Sequence, residues 1–181
     1  MTVVVRPATR RDLEAVTTIH IASFVKTYAN YPKTVAASQG ALESRIIYWQ
    51  SRLEDSELRV IVAESDGKVA GFALIGPIGD EESDQELGHV YSIHVSPDRY
   101  GLGIGRELMV SAERQLVEMG FEEATLWVVV DNTGARRFYE RIGWYPDGQT
   151  KREVLGVSGE DGDDARVVGY RKRLARDGGE E

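Results

Sequence analysis

The chain has 181 residues, 41% hydrophobic and 29% charged, which is enough apolar mass for one domain with a real core. Its net charge of −8 argues against a general nucleic-acid binder, and no apolar run of about eighteen residues offers a membrane span. The absence of cysteine removes disulfides, a thiolate nucleophile and cysteine metal sites, and the N-terminus lacks signal-peptide architecture, so a cytoplasmic location is expected. Thr2 to Arg6 reads as a first strand, rich in valine and closed by Pro7. Thr9 and Asp12 have capping-box spacing, with Asp in place of Glu. Leu13, Val16, His20 and Phe24 predict a first helix to about Tyr28, which Asn30, Tyr31 and Pro32 break. Leu42, Ile46, Trp49 and Leu53 predict one face of a second helix.

Leu58 to Glu64 and Lys68 to Ile75 read as strands joined by Ser65-Asp66-Gly67, and Asp-Gly between apolar runs is a strong hairpin signal. The polar loop Gly79 to Glu86 carries Asp80, Glu81, Glu82, Asp84 and Glu86. It reads as a solvated loop or as an acidic rim for a cationic partner, and it lacks calcium-loop spacing. The next stretch, LGHVYSIHVSPDRYGLGIGREL from Leu87 to Leu108, carries the densest signal. A strand with Val90, Tyr91, Ile93 and Val95 stops at Pro97. Gly101, Gly103 and Gly105 follow, and a third helix begins, with Leu108, Ala112, Leu116 and Met119 on one face. Strand, glycine turn and helix together aim backbone N–H groups at an anion, with a pyrophosphate as the natural occupant. The spacing fits neither the dinucleotide fingerprint nor the Walker loop.

Gly120 ends the third helix, and Ala124 to Val130 reads as a strand buried on both faces. Asp131 and Asn132 can cap a fourth helix bearing Ala135, Phe138, Tyr139 and Ile142, which Gly143 ends. Lys151 to Val157 and Arg166 to Leu174 read as a terminal antiparallel pair around the acidic loop GVSGEDGDDA. One domain over 1–175 is expected, with 176–181 as a flexible tail.

VSPDRYGLGIGREL resembles the acetyl-CoA loop of the GNAT superfamily of N-acetyltransferases, a strand ending in V-x-P followed by R/Q-x-x-G-x-G/A at a helix start. The leading Arg or Gln is replaced by Tyr100, with Arg99 one position early. Asn132-x-x-Ala135-x-x-x-Tyr139-x-x-x-Gly143-Trp144 is similar to the family's N-x-x-A-x-x-x-Y-x-x-x-G-F, and the opening R-x-A-x-x-x-D also matches. The resemblance covers nearly the whole chain. It implies an α/β GNAT fold: a mixed, mostly antiparallel sheet of about seven strands with four helices, its parallel fourth and fifth strands splayed. It also implies acetyl-CoA as acyl donor and no metal. The donor would be held by Ile93, His94 and Val95, by Tyr100, Gly101, Leu102, Gly103, Ile104, Gly105 and Arg106, and by Asn132 and Tyr139.

Acetyl transfer to an amine requires a held donor, a polarised carbonyl, a base for the amine and an acid for the leaving thiolate. Tyr139 is the candidate acid, since a phenol is protonated at neutral pH. Strict alternation puts His89, Tyr91, Ile93 and Val95 on one strand face. The family register makes His89 the candidate base, with Glu86 as the alternative. His94 is expected to face the helical layer or solvent, and His20 to be structural. Tyr28, Tyr31 and Glu86 are candidates for the acceptor side, where an aromatic wall and an acidic rim suit a small cationic amine. The expected activity is N-acetyl transfer in a ternary complex. An acyl-CoA-binding sensor without turnover and a nucleotide-binding module on the same glycine turn are the alternatives. No nucleic acid or membrane partner is expected, and a homodimer is allowed.

Overall fold

The computed structural model describes residues 2–39, 42–78, 87–156 and 162–175. Seven strands form one sheet: β1 (Val3–Pro7), β2 (Arg59–Ser65), β3 (Lys68–Pro77), β4 (Gly88–Val95), β5 (Glu123–Val129), β6 (Tyr145–Val154) and β7 (Asp164–Arg173). Their order is β1-β2-β3-β4-β5-β7-β6, and every neighbouring pair is antiparallel except β4 and β5. The helices are α1 (Leu13–Thr27), α2 (Pro32–Gln39), α3 (Leu42–Glu54), α4 (Ile104–Glu118) and α5 (Thr133–Arg141).

The sheet is covered on both sides, which explains the continuous apolar runs in its central strands. Val60, Val62, Phe72 and Leu74 pack under α1 and α3 with Val16, Ile19 and Trp49. Their sequence neighbours Ile61, Ala63, Ala73 and Ile75 point the other way, to Leu108, Ala112 and Leu116 of α4 and Tyr139 of α5. A third cluster, Val129, Leu155, Ala165 and Val167, lies beneath Tyr28, Tyr31 and Trp127.

Local signals explain most boundaries. Asp66 and Gly67 take positive φ of 53° and 73° in the β2–β3 turn, the hairpin geometry that Asp-Gly favours. Gly120, at φ 101°, closes α4 through bonds from its own N–H to Val117 O and from Phe121 N–H to Leu116 O, a Schellman ending. Three expectations are corrected. Among the described residues there are five helices, not four, because Pro32, after α1 has ended at Thr27, opens α2, where its fixed φ suits the first helical position. The buried face of α3 centres on Arg45 and Trp49, while Leu42 is half exposed. The terminal hairpin begins at Tyr145, and because β6 is the sheet edge it tolerates Pro146. The loop Gly79 to Glu86 and the tail 176–181 lie outside the described residues.

The entry to α1 is pinned electrostatically. Arg6 donates to Asp12 at 2.8 and 2.9 Å and also pairs with Glu64, while Thr9 N–H donates to Asp12 at 2.7 Å. The Arg6 guanidinium, ahead of the Thr9 bonds, holds the buried Asp12 carboxyl down at about 2 from 3.8. A depressed carboxylate contributes fully above its unfolded value and loses that contribution as pH falls through its folded value. Asp12→Asn is therefore expected to lower unfolding free energy by about 2 kcal/mol at pH 7. In urea denaturation the gap to wild type should close as pH falls from about 4 toward 2.

Candidate active site

Parallel pairing of β4 with β5 is limited to Gly88–Ala124, His89–Thr125 and Val90–Leu126. Beyond those pairs the strands part, as the resemblance implied. On the other edge of β4 the register with β3 moves from Leu74–Ser92 to Ile75–Val90, leaving Tyr91 as a bulge. Residues directly opposite in a sheet share a face, so the bulge breaks the expected alternation. Val90, Ile93 and Val95 lie on the α4 side, whereas His94 packs with His20 and Phe72 on the α1 side. His89 pairs with Thr125, on the same β5 face as Trp127 and Val129. His89 thus belongs to the α1 face, not to the face of Ile93 and Val95. Sequence alternation could not locate this inserted residue.

A cleft of about 1380 Å³ passes through the gap. On the α4 side it is lined by Tyr100, Gly101, Gly103 and Gly105, with Asn132 and Tyr139 from α5 and its cap. On the α1 side it is lined by Ser23, Tyr28, His89, His94, Trp127 and Lys151. This volume exceeds the usual range for one small ligand, about 300–1,000 Å³.

The glycine turn has the conformation that an anion cradle requires. Gly101 and Gly103 sit at φ 78° and 82°, and nothing lies within 4 Å of where a Cβ would stand on either. Gly103 caps α4: Arg106 and Glu107 N–H both reach Gly103 O, so the N–H groups of Ile104 and Gly105 precede the helical ladder. Gly105 lies inside the first helical turn, where a Cβ would meet Phe138 at 3.5 Å. Ser96 N–H donates to Ala70 O on β3 at 2.8 Å. Since N–H groups alternate between strand edges, those of Ile93 and Val95 point toward the gap and that of His94 toward β3.

Tyr100 is half exposed, and its hydroxyl bonds Thr27, tying the glycine turn to α1 in place of a charged side chain. Arg99 lines the cleft and holds Asp66 at 3.0 Å. Arg106 also lines the cleft, while the Leu102 side chain is exposed. Asn132 caps α5, accepting Ala135 N–H at 3.1 Å, and its side chain bonds the Tyr28 phenol. Tyr139 is buried against Trp144 and Tyr170. Burial, then the neighbouring Tyr28 phenol, raises its pKa, so it remains a proton donor at all ordinary pH values. Burial also pushes Tyr28 up to about 12. Tyr31 instead turns its hydroxyl to Asp131 at 2.8 Å, braces Tyr28, and lies outside the cleft lining. Glu86 lies outside the described residues.

His89 Nδ1 is 2.7 Å from Thr125 Oγ1, whose own hydroxyl points to Gly88 O at 3.5 Å. With the Thr125 hydroxyl directed to Gly88 O, Nδ1 is the donor in this pair, the tautomer that carries its lone pair on Nε2. Burial first, and the charge of Lys151 second, lower its pKa to about 4 from 6.5. His94 is held in the same way: Ser23 donates to His20 O at 3.0 Å and accepts from His94 Nδ1 at 2.7 Å. His20 is structural, accepting from Trp49 Nε1 at 3.1 Å and from the fully buried Arg45 at 3.2 Å. Thr125, Lys151, Trp127 and Arg45 were not singled out in the sequence. Their partners come from other strands and helices, so no local spacing marks them.

Parted parallel strands with a glycine turn at the mouth are the arrangement that the GNAT resemblance implied. Residues 14–144 match the acetyltransferase (GNAT) family, and the chain belongs to it. It is an acetyl-CoA-dependent acyltransferase. The uncharacterized N-acetyltransferase MJ1530 of Methanocaldococcus jannaschii is 31% identical over 174 residues, covering 96% of this chain and 94% of that protein. The mycothiol acetyltransferase of Kocuria rhizophila is 29% identical over 133 residues, 71% of this chain but 43% of that protein, so the chain spans about two fifths of that relative. The structure of yncA from Salmonella typhimurium, solved with acetyl-CoA, superposes with TM-score 0.73 at 18% identity, covering 100% of this chain and 99% of that one.

Titration of the His89 ring by nitrogen NMR is expected to show an Nδ1–H tautomer that stays neutral down to about pH 4. Thr125→Val removes the acceptor and should produce a mixture of tautomers. A ring that titrates near 6.5 in the wild type would remove the burial argument.

Proposed function

We propose that this enzyme moves the acetyl group of acetyl-CoA to the primary amine of a small acceptor that arrives as an ammonium, by direct attack within a ternary complex. The observation that carries this reading is the cleft through the parted strands. It offers an anion cradle on one face, a neutral imidazole with an available lone pair on the other, and a protonated phenol in its wall.

Gly101, Gly103 and the first turn of α4 take the pyrophosphate on backbone N–H groups, with Arg99 and Arg106 adding positive charge. The open edge of β4 at Ile93 and Val95 receives the pantetheine amides as an added strand would. The same edge donates to the thioester oxygen. In the transfer, the ammonium first gives one proton to solvent, the free amine nitrogen then bonds the acetyl carbon, the carbon–sulfur bond breaks, and the nitrogen loses its second proton to His89 Nε2, directly or through water.

A base with a pKa of about 4 cannot hold a proton taken from a free ammonium. It can take one from a nitrogen already bonding to carbon, whose acidity rises steeply as the bond forms. Tyr139 faces the opposite mismatch. A thiol pKa is about 8.5, well below that of the raised phenol. Tyr139 therefore stabilises the departing thiolate by donating a hydrogen bond, and the thiolate is protonated from solvent.

The acceptor half of the cleft weighs against a sensor without turnover, because binding an acyl-CoA alone has no use for it. Thiol release from acetyl-CoA across amine classes tests the reading. Tyr139→Phe is expected to lower kcat about a hundredfold while acetyl-CoA affinity stays within about twofold. Gly103→Val places a side chain in a left-handed conformation, costs about 1–2 kcal/mol of stability, and should abolish calorimetric acetyl-CoA binding. Tight acetyl-CoA binding with no thiol release to any amine would leave only the sensor.

A further inference from the structure

The acceptor side of the cleft contains a lysine that the donor does not need. Lys151 lies on β6, opposite Val167 of β7, and so on the same face as Trp127 and His89. Its ammonium stands 4.5 Å from the centre of the Trp127 ring. An indole face fixes a cation's position without consuming its hydrogen bonds. Glu153, two residues along the strand, lies 3.5 Å away in a long, half-exposed pair that engages one of three ammonium donors. Both side chains lie on the same face of β6 and line the cleft. Neighbouring cations on β6 and β7 have shorter commitments, Arg152 to Asp164 at 2.6 Å and Lys172 to Glu113 at 2.8 Å.

We infer that the acceptor is an amino acid-like amine whose own carboxylate is received by Lys151 on its indole platform, with the amine delivered beside His89. This rests on the transferase reading above and narrows its acceptor class. Lys151 and His89 lie on the same sheet face and line one cleft, so a carboxylate and an amine carried by one small molecule can meet both. A polyamine has no group for Lys151 and would bring a second cation toward it. A bound carboxylate also offsets the lysine charge that depresses His89, so this acceptor improves its own base. Tyr28 and Trp127 offer ring faces to the part of the acceptor between or beside the two charged groups.

The test compares thiol release from acetyl-CoA with phenylalanine, phenylalaninamide and phenethylamine, alongside spermidine. The carboxylate acceptor is expected to have a kcat/KM at least about tenfold above the amide, expressed mainly in KM. Lys151→Met should bring the acid-to-amide ratio to about one, while Lys151→Arg should keep most of the preference. Equal or better turnover of the amide, the amine or spermidine by wild type would overturn the inference and leave the transferase reading standing. Acetyl-CoA binding without thiol release to any amine would overturn both, and the two failures are distinct.

Discussion

Three residue pairs hold β4 to β5, and the rest of the structure depends on the pairing stopping there. A parallel pair that continued would satisfy its own backbone groups and bury the gap. Instead, the bulge at Tyr91 turns β4 while β5 continues toward β7. The exposed edge of β4 is then a row of N–H and C=O groups inside a covered sheet, which is costly unless something pairs with it. Under the proposed function the pantetheine arm completes the sheet, and its affinity arises from the same deficit that a finished sheet would have removed.

The α1 face of that gap is held by polar contacts rather than apolar packing alone. Arg45 is fully buried, donating to His20 and to Ser38 at 3.2 Å, with its guanidinium 5.6 Å from the Phe24 ring centre. Trp49 shares the same His20 nitrogen, which fixes the tautomer of His20. Ser23 then holds His94. Each hydrogen bond in this series constrains the rotamer of the next side chain. The result is a wall that keeps two histidines neutral at the border of the cleft.

Much of this was legible in the sequence, because the decisive signals are local. The strand, proline, glycine turn and helix from Leu87 to Leu108 depend on φ preferences and cap chemistry that individual residues impose. The Asn132 cap and the buried Tyr139 likewise follow from spacing within one short helix. What failed was nonlocal. The face of His89 was misread because a bulge inserts one residue without any mark in composition. Pro32 was read only as a stop, although the same ring geometry also starts a helix. Lys151 and Thr125 gain meaning only through register across strands far apart in sequence.

The paired bonds between α2 and the lead-in to β7 bear on how such a protein diversifies. Thr34 N–H donates to the Asp163 carboxylate at 3.0 Å, and Asp163 N–H returns a bond to Thr34 Oγ1 at 2.9 Å, across 129 positions of sequence. In the proposed enzyme the donor half is nearly contiguous, running from β4 through α5, so its contacts close short loops. The acceptor half is assembled from chain segments near opposite ends, and its contacts have the high sequence separation that forms late in folding. Two halves built on such different spans are separable units of variation. Under the proposed function, substitutions near residues 28–38, 149–156 or 162–167 can remodel which acceptor is admitted, while the segment from β4 through α5 folds as before.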